Sequence, residues 1–97
     1  MQLELSDLRK IVLDEYGYEP SEEKWETLYY VVGKKKVGIS LSNYWTDDED
    51  NGKQFISFGV DDLIDRSGSS HSCDTLDELR EDLDRYLPKK NVQIGLF

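Results

Sequence analysis

The chain has 97 residues and a formal net charge of −9, from 21 acidic and 12 basic side chains. This length fits one small domain, and we expect residues 1–97 to form a single α+β domain. The negative charge disfavours direct binding to nucleic acid or to anionic membranes. The single cysteine excludes an intramolecular disulfide. The sequence contains no run of eighteen apolar residues, so we predict no membrane span. We therefore expect a cytoplasmic protein.

The first predicted element is a helix that begins near Ser6 and ends at Tyr16. Ser6 is a suitable N-cap, and Gly17 is typical of the position after a helix C-terminus. The apolar side chains at helical spacing between them are Leu8, Ile11, Val12 and Tyr16. Residues 18–24 are interpreted as a connector, because Pro20 disfavours a helical conformation in the residue before it.

Three strands are predicted in the middle of the chain. The segment 25–32 is rich in aromatic and β-branched residues, and Gly33 with Lys34 then favours a tight turn. Apolar and polar residues alternate in 36–45 and again in 54–60, and the short connections indicate an antiparallel meander. The side chains expected to face the core from the second and third strands are Val37, Ile39, Leu41, Ile56, Phe58 and Val60.

A second helix is predicted over residues 76–87, since Thr75 and Glu78 match the capping-box pattern. Its apolar stripe consists of Leu76, Leu79, Leu83, Tyr86 and Leu87. Residues 67–70 are interpreted as a loop, and residues 91–97 as an edge strand or an apolar tail. The order α-β-β-β-α-(β) predicts an α+β fold. It has a three-stranded antiparallel sheet, which a C-terminal strand would extend to four, and two helices on one face.

Four consecutive acids lie between the second and third predicted strands, and Asn51-Gly52 follows them. These acids are Asp47, Asp48, Glu49 and Asp50. A calcium-binding EF-hand loop that begins at Asp47 needs a bidentate Glu at its twelfth position, where this chain has Phe58. Asn and Gly are typical of hairpin turns, so we predict a hairpin loop. Such a loop carries its acids away from the body of the fold.

His71 and Cys73 are the one histidine and the one cysteine of the chain. In an extended segment, side chains two residues apart point the same way. A Cys–His nucleophile pair needs the imidazole beside the thiol and a third group that orients it, which neighbours on one segment rarely provide. A zinc site would need two further nitrogen or sulfur ligands, and the chain has none. We therefore predict no catalytic residue, no metal and no cofactor.

Acids recur after the loop, at Asp61, Asp62 and Asp65, and six more occur in residues 74–84. In a helix, six acids over that length lie along roughly 15 Å, about one charge per 3 Å. Phosphates along one DNA strand are about 3.4 Å apart. An alternative that stays open is that these acids are present because they form i,i+4 ion pairs on a solvent-exposed helix face.

The net charge and the acidic loop together favour a surface that binds a basic groove of a partner protein. Exposed tyrosine and tryptophan are frequent anchors of protein interfaces, and one of each precedes the acidic loop. The predicted partner-binding residues are Tyr44, Trp45, Asp47, Asp48, Glu49, Asp50, Asp61, Asp62 and Asp65.

Three acidic segments, "TDDEDNG", "VDDLID" and "DTLDELREDLD", dominate the charge of the chain. In these segments, in size and in the order of its elements, the chain resembles the small acidic inhibitors that bacteriophages encode, including anti-CRISPR proteins. The resemblance implies a non-enzymatic inhibitor that mimics nucleic acid and occupies the basic groove of a CRISPR effector nuclease in the host bacterial cytoplasm. The chain is also similar to toxin immunity proteins. A third alternative is an accessory subunit whose segment "VQIGLF" adds a strand to a neighbour.

Overall fold

The computed structural model describes residues 3–44, 47, 49 and 52–88. The predictions for Trp45, Asp48, Asp50 and the segment 91–97 therefore concern residues outside this part of the chain. The described elements are helix α1 (Leu5–Ile11) with a π-helical continuation (Val12–Tyr16), strands β1 (Glu22–Lys24), β2 (Thr27–Val32), β3 (Lys35–Asn43), β4 (Gln54–Asp62) and β5 (Gly68–Cys73), and helix α2 (Leu76–Tyr86). The α+β class is confirmed. Among these residues, neither helix has the length and apolar content that crossing a membrane requires.

The sheet is larger than predicted, because it has five strands within the described residues rather than three or four. The strands form one antiparallel meander in the order β1-β2-β3-β4-β5. Along one row across the sheet, Leu28 pairs with Ile39, Ile39 with Phe58 and Phe58 with His71. The first three of these side chains are fully buried, as the alternation in the sequence predicts.

The two unpredicted strands, β1 and β5, lie at the edges of the sheet. β1 consists of three charged, exposed residues, and β5 is exposed along its length except at Cys73. Neither strand shows the apolar alternation by which a strand is recognised in a sequence. The predictions of a connector at 18–24 and of a loop at 67–70 were wrong there, because backbone pairing with β2 and β4 forms strands from polar residues.

The ends of the helices follow their capping residues. α1 begins at Leu5 rather than after Ser6, because the Asp7 carboxylate accepts a hydrogen bond from the backbone N–H of Glu4 at 2.8 Å. The helical segment ends at Tyr16 as predicted, with Gly17 in the left-handed conformation at φ 83°.

The predicted N-cap of α2 is confirmed, since the Thr75 hydroxyl accepts a hydrogen bond from the Glu78 N–H at 3.2 Å. The Glu78 carboxylate in turn accepts from the N–H of Asp74, one residue earlier than the capping-box pattern expects.

Both helices pack on one face of the sheet and run in the same direction. The Tyr16 hydroxyl donates to Asp84 at 2.6 Å, and the Tyr18 hydroxyl donates to the carbonyl of Pro88. The buried core residues are Leu8, Val12, Tyr16, Tyr18, Leu28, Tyr30, Val37, Ile39, Ile56, Phe58, Val60, Cys73, Leu79, Leu83 and Leu87. This arrangement places the beginnings of both helices at one end of the sheet.

Candidate functional site

The predicted partner-binding acids do not lie together. Asp47 and Glu49 follow β3 at one end of the sheet, whereas Asp61 and Asp62 finish β4 at the other end. β4 has nine residues. At about 3.4 Å per residue, its two ends are roughly 27 Å apart. A single small contact therefore does not include both groups.

The acids after β4 stabilise a turn. The Asp62 carboxylate accepts hydrogen bonds from the N–H groups of Ile64 and Asp65, at 2.9 and 3.1 Å, and lies 3.7 Å from the Lys35 ammonium. These two backbone hydrogen bonds, and then the charge of Lys35, hold the pKa of Asp62 below its ordinary value. Asp65 likewise accepts from the N–H and hydroxyl of Ser67. Both carboxylates are thus engaged within the protein.

Tyr44, one of the predicted anchors, is only partly exposed. Its ring centroid lies 4.4 Å from that of Phe55, and its hydroxyl donates to the Asp74 carboxylate at 2.6 Å. Tyr44 therefore links the end of β3 to the residues just before α2. The hydrogen bond also places Asp74 close to the start of the acidic loop.

The N-terminus of α1 lies at this same end of the sheet. The backbone N–H and carbonyl of Leu3 form two 2.8 Å hydrogen bonds with the side chain of Gln54, the first residue of β4. A cleft of about 560 Å³ lies between Leu3, β4 and the first turn of α2, and Lys53 and Arg80 contribute to its lining. The helix N-termini and the start of the acidic loop thus share one region, the acidic end, whose acids are Glu4, Asp7, Asp47, Glu49, Asp74, Asp77 and Glu78.

Negative charge exceeds positive charge throughout the helical layer. Residues 3–18 and 74–88 contain ten acids and four bases. Within the described part of the chain, Arg80 is the one base of these four that lies within 4.0 Å of a carboxylate. It forms two 3.0 Å hydrogen bonds with Glu15 and only a 3.4 Å contact with Asp77. Asp77 keeps 93% of its side chain exposed.

Among the residues that the structure describes, the large exposed aromatic side chain at this end is Trp25, which is 83% exposed. Trp25 and Glu26 form the turn between β1 and β2, and both have positive φ, 57° and 60°. The pairing of Thr27 with Ser40 places this turn near the end of β3 that precedes the acidic loop. We predicted Trp25 as part of a strand. It instead lies in the turn, where it lines a shallow cleft with Tyr29 and Lys36.

A second group of reactive side chains lies between β5 and α2. His71 and Cys73 point toward the helix from the same side of β5, as their spacing predicts. They meet Asp82, which is 6% exposed. Its Oδ2 accepts hydrogen bonds from His71 Nε2 and, at 3.1 Å, from Cys73 Sγ. Asp82 was not among the predicted site residues, although its position three residues after the buried Leu79 indicates an inward-facing side chain.

This cluster does not have the order of a Cys–His nucleophile pair. The thiol and the imidazole both contact the carboxylate of Asp82, whereas an activated thiolate requires the imidazole as its neighbour. Burial, followed by the hydrogen bond to Asp82, raises the pKa of Cys73 to about 12. The thiol is therefore protonated at neutral pH and is only 1% exposed, which are properties of an unreactive cysteine.

The candidate surfaces are thus the acidic end with Trp25, and the His71–Asp82–Cys73 cluster. Comparison with models of protein families finds no match, and neither do comparisons with curated proteins and with solved structures. The contacts and charges of this chain's own residues are therefore the observations from which its function is inferred.

Proposed function

We propose that the chain is a non-enzymatic inhibitor that binds, through its acidic end, the basic nucleic-acid-binding surface of a partner protein. The observation that supports this proposal most directly is the separation of charge along the sheet. The acidic loop and the N-termini of both helices share one end. Lys34, Lys35 and Lys36 lie at the opposite end, beside the turn after β4. Such a charge distribution orients the molecule toward a basic partner before contact.

Helix stability accounts for some of these acids but not for all of them. Asp7 and Glu78 accept capping hydrogen bonds, and acids near helix N-termini are favoured by the helix dipole. Asp47 and Glu49 have no such role, because both are exposed and neither forms a hydrogen bond or an ion pair with the described residues. Unpaired, exposed carboxylates of this kind are available to lysines and arginines of a partner.

The resemblance to anti-CRISPR inhibitors makes a CRISPR effector nuclease the partner class that we propose. Its basic channel binds the phosphates of DNA, and the exposed carboxylates of the acidic end compete for the same lysines and arginines. Trp25 replaces Tyr44 as the proposed aromatic anchor, because Trp25 is exposed and Tyr44 is held by Phe55 and Asp74.

Competition with DNA for a guide-loaded CRISPR effector nuclease tests this proposal. We expect the chain to displace labelled target DNA, and we expect its affinity to fall as salt rises from about 50 to about 200 mM, because the contacts are ionic. In the variant Asp47→Asn/Glu49→Gln/Asp77→Asn, affinity should fall at least about 10-fold, since each 1.4 kcal/mol lost is a factor of ten. Fluorescence anisotropy of the DNA measures both effects.

The matched control is Asp14→Asn/Glu19→Gln/Glu23→Gln, which removes the same number of charges from exposed positions outside the acidic end. We expect this variant to compete nearly as well as the unmodified chain. Equal losses in the two triple variants would show that net charge alone governs binding. Competition that is insensitive to salt and to the first triple variant would refute the proposed surface.

A further inference from the structure

The cluster of His71, Cys73 and Asp82 has no part in the proposed binding surface, yet it buries a carboxylate. Asp82 is the one charged side chain among the described residues that is buried. A carboxylate leaves water at a considerable free-energy cost unless it is paired, hydrogen-bonded or bound to a metal ion. Leu79 and Leu83, its neighbours on α2, are fully buried core residues. His71 and Cys73 meet this requirement by donating to Asp82, so three polar side chains converge in an otherwise apolar contact.

The three side chains offer one donor atom each, and these atoms converge. The Nε2 of His71, the Sγ of Cys73 and a carboxylate oxygen of Asp82 all lie within 4.8 Å of one another. Zinc binds these three types of atom at about 2.0–2.3 Å, so tetrahedral angles separate its ligand atoms by about 3.3 to 3.7 Å. The three ligand atoms are therefore already grouped on the scale that a zinc site requires.

The surroundings suit a site with three protein ligands. Phe58 packs against the imidazole of His71, with ring centroids 5.8 Å apart, and so limits the orientation of that ligand. Cys73 and Asp82 are buried, whereas the side chain of His71 is 47% exposed. One side of the cluster therefore reaches solvent, which leaves room for a water molecule as the fourth ligand. Zinc takes three protein ligands and one water where its site is open to solvent, whereas closed structural sites have four protein ligands.

We propose that His71, Cys73 and Asp82 form a Zn²⁺ site that joins the edge strand β5 to α2. When the ion binds, a Zn–S bond replaces the S–H bond of Cys73 and the thiol proton passes to solvent. The Nε2 proton of His71 moves to Nδ1 by exchange with solvent, and the freed nitrogen and the carboxylate oxygen then bind the ion instead of each other. When we predicted no zinc site from the sequence, we counted only nitrogen and sulfur ligands. The carboxylate oxygen of Asp82 was left out; this residue is nine positions from Cys73 in the sequence and contacts it because α2 packs on the sheet.

Titration of the full chain with Zn²⁺ and with Co²⁺ tests the site. We expect one ion per chain by isothermal titration calorimetry, a rise in the thermal unfolding midpoint with added Zn²⁺, and a thiolate-to-cobalt charge-transfer absorption with Co²⁺. In His71→Gln and in Cys73→Ser, affinity should fall by more than about 100-fold, since loss of an outer-sphere partner alone costs about 10–100-fold. His71 is half-exposed, so His71→Gln is expected to fold, and circular dichroism verifies this.

The control variant Asp47→Asn/Glu49→Gln separates this site from weak cation binding by the acidic end. It should keep the stoichiometry, the affinity and the cobalt–thiolate absorption of the unmodified chain. Binding that survives in His71→Gln and Cys73→Ser but weakens in the control variant would overturn the site in favour of the acidic end. Absence of a cobalt–thiolate absorption from the unmodified chain, or absence of any binding, would also overturn it.

Discussion

Two buried tyrosines, Tyr16 and Tyr30, differ in what their hydroxyl groups contact. The Tyr16 hydroxyl donates to the Asp84 carboxylate and approaches the carbonyl oxygen of Arg80. The Tyr30 hydroxyl is fully buried and has no hydrogen-bond partner among the described residues. Burial raises the pKa of Tyr30 to about 12, because the charged phenolate is the form that burial disfavours. The Tyr30 hydroxyl is therefore a destabilising feature of the core.

We expect Tyr30→Phe to raise the free energy of unfolding by about 1 kcal/mol, because an unsatisfied buried hydroxyl costs about 1–3 kcal/mol. Tyr16→Phe should lower it by a similar amount, since Asp84 then loses a hydrogen bond. Urea denaturation at neutral pH measures both changes. Equal destabilisation by the two substitutions would show that the Tyr30 hydroxyl has a partner after all.

The raised pKa of Tyr30 gives a second way to test whether its hydroxyl group is buried without a hydrogen-bond partner. An unfolded tyrosine releases its proton near pH 10.0, whereas folded Tyr30 retains its proton until about pH 12. The unfolded state therefore binds fewer protons in this window, and stability falls as pH rises through it. We expect this alkaline loss of stability to be smaller in Tyr30→Phe than in the unmodified chain.

The turn between β1 and β2 does not have the amino-acid sequence that would make such a turn most stable. A hairpin turn with two positive φ angles favours Asn-Gly, but here Trp25 and Glu26 occupy the two positions. A non-glycine residue in the left-handed region costs about 1–2 kcal/mol. Strain of this kind is frequent at functional sites, and here it presents an exposed indole at the acidic end.

We expect Trp25→Asn/Glu26→Gly to raise the free energy of unfolding by about 1 kcal/mol, because it relieves strain and removes few contacts. The same variant should compete less well with DNA for the effector nuclease, since it lacks the proposed anchor. Glu26→Gly alone is the matched control, because it relieves strain at one residue but keeps the indole. If both variants compete equally well, Trp25 is not the anchor.

The sequence predicted those elements whose side chains enter the core. Buried Ile39 and Phe58 alternate with outward-facing residues, and Thr75 caps α2, so β2 to β4 and both helices followed from local patterns. The edge strands β1 and β5 did not, because edge strands with polar side chains gain their stability from backbone pairing, which leaves no periodic apolar signal. Propensity describes such strands poorly.

The candidate surfaces were predicted less completely than the elements, because they depend on register and packing. Asp47 and Asp61 are fourteen residues apart in the sequence, but the length of β4 places them at opposite ends of the sheet. The contact of Asp82 with Cys73 arises only when α2 lies on β5. The exposure of Trp25 does not follow from strand alternation, because Trp25 lies in a turn with positive φ between β1 and β2.

At the scale of the whole molecule, the meander and the parallel direction of the helices produce a charge difference between the two ends. Both helices begin where the acidic loop begins, so their N-terminal acids and the loop acids reinforce one another. At the other end, Lys35 lies 3.7 Å from Asp62, and Lys36, the backbone partner of Asp61, lies 3.8 Å from the Glu22 carboxylate. Acids are therefore neutralised at one end and left in excess at the other.

This difference predicts where a polycation binds, without reference to any particular partner. We expect a short oligo-arginine peptide to shift the backbone amide NMR signals near Asp47, Asp74 and Asp77, and to leave those of Gly33–Lys36 in place, because the lysines repel it. At about 1 M salt the Debye length falls to about 3 Å, and the shifts should largely disappear. Shifts of equal size at both ends would mean that the acids act as a uniform surface charge and that the acidic end does not bind polycations preferentially.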